Sequence, residues 1–383
     1  MGGIYIHIPF CRQACRYCDF FFTVSLKYQD EFVEKLILEI NRRSQNAHGS
    51  EIKSLYLGGG TPSLLTPGNL NRILDSVRKL YRLNPNAEIT VECNPEDLEL
   101  SGLKRLRSEG INRLSIGIQS FKEEELKLMR RAHTAEQAYR SVKEAAAAGF
   151  DNITIDLIYG LPGQSAEDWK ENLAQTLTLP ISHISAYHLT FEPGTVFDHW
   201  RKKGQLIPPK EELSLKMYRF LRDKLLDRGF RHYEISNFAI PGKESIHNQG
   251  YWSGAPYLGF GPSAHSFDGV YRSWNISSLK GYIDGITRGI TVQNFEKLTK
   301  RDRYHDYLIT SLRTSRGADQ EYILVQFGQN IRSHFDRVIK PYIADGTVTV
   351  SSGRTVIDPG QWLISDHIIR NLFLADNSSV TDG

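Results

Sequence analysis

Hydrophobic and polar positions follow two rhythms along this chain. Short apolar runs of strand length occupy 4–8, 54–57, 88–92, 113–118, 153–158 and 183–189. Between them, apolar positions recur every three or four residues. Phe32, Val33, Leu36, Ile37 and Ile40 form one stripe, and Leu70, Ile73, Leu74, Val77 and Leu80 form another, the spacing of amphipathic helices. Thr134 followed by Gln137 reads as a capping box that opens a helix running through Ala148 and closing at Gly149. Ser165 and Asp168 do the same before Trp169, Leu173 and Leu177. Strand then helix, repeated about six times, predicts a parallel sheet with helical crossovers. Continuous apolar runs are what strands buried on both faces require. The expected fold class is α/β, an incomplete barrel of six β/α units.

After Leu189 the rhythm changes. One long helix is expected over 210–228, stopped by Gly229. The stretch 237–278, rich in Gly, Pro, Ser and aromatic residues, reads as a structured loop region covering something. Helices are then expected over 301–313, 321–327 and 330–342, a hairpin in "TVTVSSGRTVID", and a last helix over 364–373. That succession looks like a winged-helix module, with the tail "ADNSSVTDG" frayed. The expected divisions are a barrel over 1–230, a connecting segment over 231–294 and a winged-helix-like α+β domain over 295–383.

Composition narrows the class without deciding it. The chain has 383 residues, 40% hydrophobic and 24% charged, with a formal net charge of +3. Such a chain is globular, has room for more than one domain, and lacks the basic excess that argues for nucleic acid. No apolar run approaches membrane-spanning length, and no secretory leader is visible. Cysteine is unevenly spread: Cys11, Cys15 and Cys18 lie together in "IPFCRQACRYCDF", directly after the first strand, and Cys93 stands alone. Clustered thiols in a chain without an export signal point to a metal site in a reducing compartment, the cytoplasm, and not to disulfides.

Ligands of parallel α/β sheets and barrels collect at the C-terminal ends of the strands, which is where the C-x3-C-x2-C loop sits. Three clustered thiolates suit an iron–sulfur cluster with one iron left open. Structural zinc would need a fourth ligand, and His7, inside a strand pattern, is the one candidate in the stretch. "LYLGGGTPSLL" ends the second strand with Gly58, Gly59, Gly60 and Thr61, either a tight βα turn or a backbone cradle for a ligand. Glu92 and Gln119 end the third and fourth strands and Asp156 lies late in the fifth, where each could bind ligand hydroxyls or satisfy a strand-end hydrogen bond. Cys93 reads as a small packed residue.

The cysteine spacing, with Tyr17 before the last cysteine, resembles the signature of the radical S-adenosylmethionine superfamily. The resemblance implies a partial (β/α)6 barrel and a [4Fe–4S] cluster on Cys11, Cys15 and Cys18. It also implies S-adenosylmethionine on the open iron, cleaved by one electron to a 5′-deoxyadenosyl radical. It places Tyr5, Tyr17, Gly59, Gly60 and Thr61 around the cofactor, with Glu92, Gln119, Arg131 and Asp156. "IHIPFC", "GGGTP", "GIQSF" and "DLIYGLPGQ" together resemble the branch around the oxygen-independent coproporphyrinogen III oxidase. That oxidase has a further cysteine two residues after the third cluster cysteine, where this chain has Phe20, and an N-terminal extension for which this chain has no room.

"HNQGYW", His247 to Trp252, is similar to the HNxxYW motif of HemW-type heme chaperones. That likeness implies haem binding and delivery, with His247 as an imidazole contact and Tyr251 and Trp252 as flat faces for a macrocycle. His265, in "GFGPSAHSF", reads as structural. The alternative is oxidase or other radical chemistry on a tetrapyrrole. Expected partners are haem, a haem-accepting protein, an electron donor such as a flavodoxin or ferredoxin, a transient membrane-protein contact and a second copy of the chain. Nucleic acid is not expected, because the helix with Arg332, Arg337 and Lys340 is thinly basic.

Overall fold

The computed structural model describes residues 2–47 and 49–375; all but the first residue of the expected frayed tail lies outside them. The six expected strands form as β1 (Gly3–Ile8), β2 (Ile52–Gly59), β3 (Leu83–Cys93), β4 (Arg113–Gln119), β5 (Ile153–Tyr159) and β6 (His183–His188). They lie side by side in chain order, each parallel to the last. Between them run α1 (Gln29–Arg42), α2 (Pro67–Leu80), α3 (Leu100–Ser108), α4 (Glu123–Met129), α5 (Ala135–Ala147) and α6 (Ala166–Thr176). Both expected capping boxes close, Thr134 with Gln137 and Ser165 with Asp168.

Alternation along β1 shows how the layers separate. Ile4, Ile6 and Ile8 are fully buried in the core that holds the helical stripes Phe32–Val33–Leu36–Ile40 and Leu70–Ile73–Leu74–Val77. Each such side chain contributes roughly 1.5–3 kcal/mol of apolar burial. Tyr5 and His7, on the other face, line a cleft on the far side of the strand from that core.

After β6 the chain forms α7 (Val196–Lys202) and α8 (Glu211–Asp227). The reading of 237–278 as loop is corrected, because that segment extends the sheet at both edges. β7 (Arg231–Glu234) and β8 (Asn237–Ala239) form a hairpin that pairs antiparallel with β6. The chain passes through α9 (Ile246–Trp252) and returns as β9 (Tyr257–Phe260), parallel to the free edge of β1 with Tyr5 opposite Gly259. β10 (His265–Phe267), β11 (Tyr271–Asn275), α10 (Leu279–Arg288) and β12 (Gln293–Lys297) complete a sheet of twelve strands among the described residues. Glycine hid these strands from pattern reading. A Cβ at Gly259 would lie 2.0 Å from the carbonyl oxygen of His265, so the β9–β10 approach demands glycine where a strand pattern would show a side chain.

The last section forms α11 (Lys300–Leu312), β13 (Ala318–Asp319), α12 (Gln320–Phe327), α13 (Gln329–Ala344), β14 (Val348–Ser351), β15 (Arg354–Ile357) and α14 (Asp366–Asn371). Its three strands order as β13-β15-β14, the helix–strand–helix–helix–hairpin arrangement of a winged helix. The module is fastened to the barrel: Ile235 N–H donates to the Arg313 carbonyl at 3.0 Å, and the Tyr218 hydroxyl to the Pro359 carbonyl at 2.7 Å. No helix among the described residues is long and apolar enough to cross a membrane.

Candidate functional site

The cysteine loop folds back on itself after β1. Cys11 N–H donates to the Thr23 carbonyl at 2.9 Å and Thr23 N–H to the Pro9 carbonyl at 2.7 Å. Arg16 pins the middle of the loop to the end of α4, through its amide to the Met129 carbonyl at 3.1 Å and its guanidinium to the Leu128 carbonyl at 3.0 Å. All three thiols are free of disulfides and half-buried. Burial pushes Cys11 up to about 11 and Cys18 up to about 12, so an incoming metal must displace their protons.

The glycine run at the end of β2 is dictated by close approach. A Cβ on Gly58 would lie 2.8 Å from Glu92 Oε1. Gly59 has φ +104° and faces the His7 ring, which a Cβ would meet at 2.4 Å. This packing lets Gly59 N–H donate to Glu92 Oε2 at 3.0 Å, while the Tyr56 hydroxyl donates to Oε1 at 2.8 Å. Beside them Thr61 donates to Cys11 Sγ at 3.6 Å.

Two enclosed carboxyls face the same space. Burial raises Glu92 to about 7 and Asp156 to about 6, and Ser115 donates to Asp156 at 3.3 Å. Gln119 ends β4 at φ +68°, a left-handed conformation uncommon for a residue with a side chain, and the register with β5 breaks there. Arg131 spans the mouth. Its guanidinium donates to Cys15 Sγ and Tyr17 Oη at 3.5 Å, to Asn94 Oδ1 at 2.5 Å and to the Gly117 carbonyl at 2.7 Å, while its Nε is buried without a partner.

The three cysteines, and every expected cofactor residue except Tyr5 and His247, line this one cavity of about 570 Å³ at the strand C-termini. Asn94, Tyr56, Ser115 and Arg113 line it too and were not foreseen. Asn94 was findable, since "ECNPE" continues straight off a strand end, and Arg113 stands out as a charge opening an apolar strand.

Comparison with known proteins bears on the whole chain. The Radical SAM superfamily profile matches residues 5–175. Heme chaperone HemW of Bacillus subtilis is 34% identical over 91% of this chain and 93% of its own length. Heme chaperone HemW of Escherichia coli is 32% identical over 98% of both. The chain belongs to the heme chaperone HemW family. The solved structure of coproporphyrinogen III oxidase (HemN) from Escherichia coli, a radical SAM enzyme, superposes with a TM-score of 0.84 at 27% identity, covering 97% of this chain and 89% of that one.

The radical SAM character of the HemW family implies a [4Fe–4S] cluster and S-adenosylmethionine, and the residues present fit both. No three Cys, His, Asp or Glu side chains among the described residues converge tightly enough for a single metal ion. A cluster cube takes three thiolates from one loop, and Cys11, Cys15 and Cys18 are free thiols lining one cavity. The unpartnered Nε of Arg131, beside the thiols, fits the carboxylate of an amino acid.

Two expected residues lie elsewhere. Tyr5 lines a second, larger cleft, its hydroxyl 3.1 Å from Nδ1 of His7. His247, expected as an imidazole contact for haem, is only 4% exposed and lines neither cavity. Its Nδ1 lies 2.9 Å from Ser54 Oγ and its Nε2 2.9 Å from the Tyr251 hydroxyl, so both nitrogens are occupied. The reason is α9. Glu88 accepts from the N–H groups of Ile246 and His247 at 3.0 Å each and is paired with buried Arg113 at 3.7 Å, which draws the start of the helix against the sheet. Tyr251 and Trp252, a turn further on, line the cleft.

Proposed function

We propose that this protein is a haem chaperone, binding haem and handing it to an acceptor protein, with a [4Fe–4S] cluster and S-adenosylmethionine resident in the barrel mouth. The observation that carries the reading is a likeness, over nearly the full length of both chains, to relatives named heme chaperones in two distant bacteria. In this reading Cys11, Cys15 and Cys18 hold the cluster. When bound, the cluster supplies one-electron reduction and an open iron for the methionine moiety.

The chain's own residues then bind and orient. The Gly59–Gly60–Thr61 turn brings backbone close to the cofactor, and Arg131 offers its free Nε to the carboxylate. Glu92 and Asp156, whose proton affinities burial has raised, accept from ribose hydroxyls once ionised, and Gln119 closes the mouth. Phe20, 64% exposed, stands between the two cavities without a thiol to offer. The acceptor protein, and an electron donor of the flavodoxin or ferredoxin type, complete a cytoplasmic system.

The alternative, coproporphyrinogen oxidation, is favoured by the structural likeness to the oxidase. Anaerobic incubation with coproporphyrinogen, S-adenosylmethionine and a reductant separates the two. No propionate should be lost, whereas the same protein should retain haem through gel filtration and yield it to an apo-haemoprotein. Decarboxylation of the porphyrinogen would overturn the chaperone-only reading.

A further inference from the structure

The larger cavity, of about 1210 Å³, lies between the concave face of the β9–β11 extension and the C-terminal module. It exceeds the roughly 300–1,000 Å³ usual for small-molecule sites. One wall is aromatic. Tyr251 meets Tyr257 edge-to-face at 4.6 Å, and Tyr257 leads to Phe267 at 6.4 Å, a surface suited to a large flat ring.

Two histidines line the cleft, and they differ in availability. His7 is occupied at both nitrogens, by the Tyr5 hydroxyl and by the Phe21 carbonyl at 2.8 Å. His265 is exposed, its ring stacked 6.0 Å from that of Trp274, and neither of its nitrogens has a hydrogen-bond partner among the described residues. Partial desolvation against the cleft wall and the nearby Arg272 lower its proton affinity, which favours the neutral ring with a lone pair to donate.

The charges of the cleft divide in the same manner. Arg272 is paired with Asp306, and Arg354 with Asp319 at 2.9 Å. Arg231 lies 4.0 Å from Glu244. Arg303 and Arg316 face the cleft with no carboxylate partner among the described residues, and the Nε of Arg303 is buried without any hydrogen bond. Two unclaimed guanidiniums and an unclaimed imidazole lining one cleft match a planar metal macrocycle that carries two carboxylates.

We propose that this cleft is the haem site, with His265 as an axial ligand to the iron and Arg303 and Arg316 receiving the propionates. The proposal rests on the haem-chaperone reading and moves the ligand from the buried His247 to the exposed His265. Haem seated there would be enclosed by two modules that meet only through tertiary contacts, so a small shift of the C-terminal module would open it to an acceptor.

The test is a titration of the full-length protein with ferric haem, followed by its Soret band and electron paramagnetic resonance. His265→Ala should lose the imidazole-ligated spectrum and bind at least tenfold more weakly, with added imidazole restoring the spectrum. His247→Phe should keep that spectrum. A double Arg303→Ala, Arg316→Ala variant should weaken haem but leave the haem dimethyl ester, which lacks free propionates, unaffected. Wild-type ligation surviving in folded His265→Ala overturns the site while leaving the chaperone reading intact. Failure of the wild-type chain to bind haem at all overturns both.

Discussion

The barrel cavity takes its lining from consecutive strands, β2 through β6, and from loops that follow the strands, the cysteine loop after β1 among them. The cleft takes its lining from α9, from the β9–β11 extension and from α11 and β15, segments that meet only because the sheet grows backward past β1. The first is a polar funnel around three thiols; the second is an aromatic wall facing arginines. Asp19 and Phe20 line both, so the two residues after the last cluster cysteine form their common partition. α9 reaches both as well: Asn248 lines the barrel cavity and Tyr251 the cleft. A strand-end site is assembled by local geometry, one motif at a time, whereas a site between modules depends on docking. The first should resist changes in the second.

The largest effect that would sharpen this contrast is at the cluster. Cys15→Ser should abolish bound iron and sulfide after anaerobic reconstitution, measured by chemical assay, while haem titration of the same protein stays within about twofold of wild type. Simultaneous loss of both would show that the cavities form one cooperative site.

Next in size is the contact that holds α9, the helix that reaches both cavities. Glu88→Ala would leave Arg113 a buried, uncompensated cation and strip α9 of its N-terminal acceptor, costing about 3–5 kcal/mol. A fall in the urea midpoint with weakened binding of both cofactors is expected, and an unchanged midpoint would mean that α9 does not couple the two sites.

Arg131→Lys keeps the charge but loses the planar fork. Affinity for S-adenosylmethionine, measured by equilibrium dialysis on the reconstituted protein, should fall about tenfold, ~1.4 kcal/mol. Haem binding should not move.

The smallest effect is a pH dependence confined to the barrel. Glu92 and Asp156 hold protons in the folded chain that the unfolded chain releases near pH ~4. The stability contributed by that retention is complete at low pH and is lost as pH rises through about 6 for Asp156 and about 7 for Glu92. In protein free of S-adenosylmethionine, Glu92→Gln should flatten the decline in urea midpoint between pH 5 and 8. A wild-type slope of zero would remove these carboxyls from the account.

How much was legible divides along the same line. The capping boxes at Thr134 and Ser165, the apolar stripes of α1 and α2, and the winged-helix succession all stand in contiguous patterns, and all form. Gly59 and Glu92 were legible because they stand at the ends of strands whose period marks the end, Cys11 because it follows such a run, and Asp156 because a carboxyl interrupts one. β9 and β10 were not, since they are four and three residues long and carry glycine where two backbones nearly touch. The roles of the histidines were the least legible: His247 sits in the more conspicuous motif, yet Glu88, 159 residues away, pulls it under the barrel.

By itself the sequence determined the barrel, the thiol loop and the polar strand ends, because hydrophobic period and turn chemistry act over a few residues. Only the tertiary structure decided which histidine is free, which arginines lack partners, and that a broad cleft exists at all. Those properties depend on what a side chain meets across the fold, and a single chain pattern carries no record of partners more than a hundred residues away.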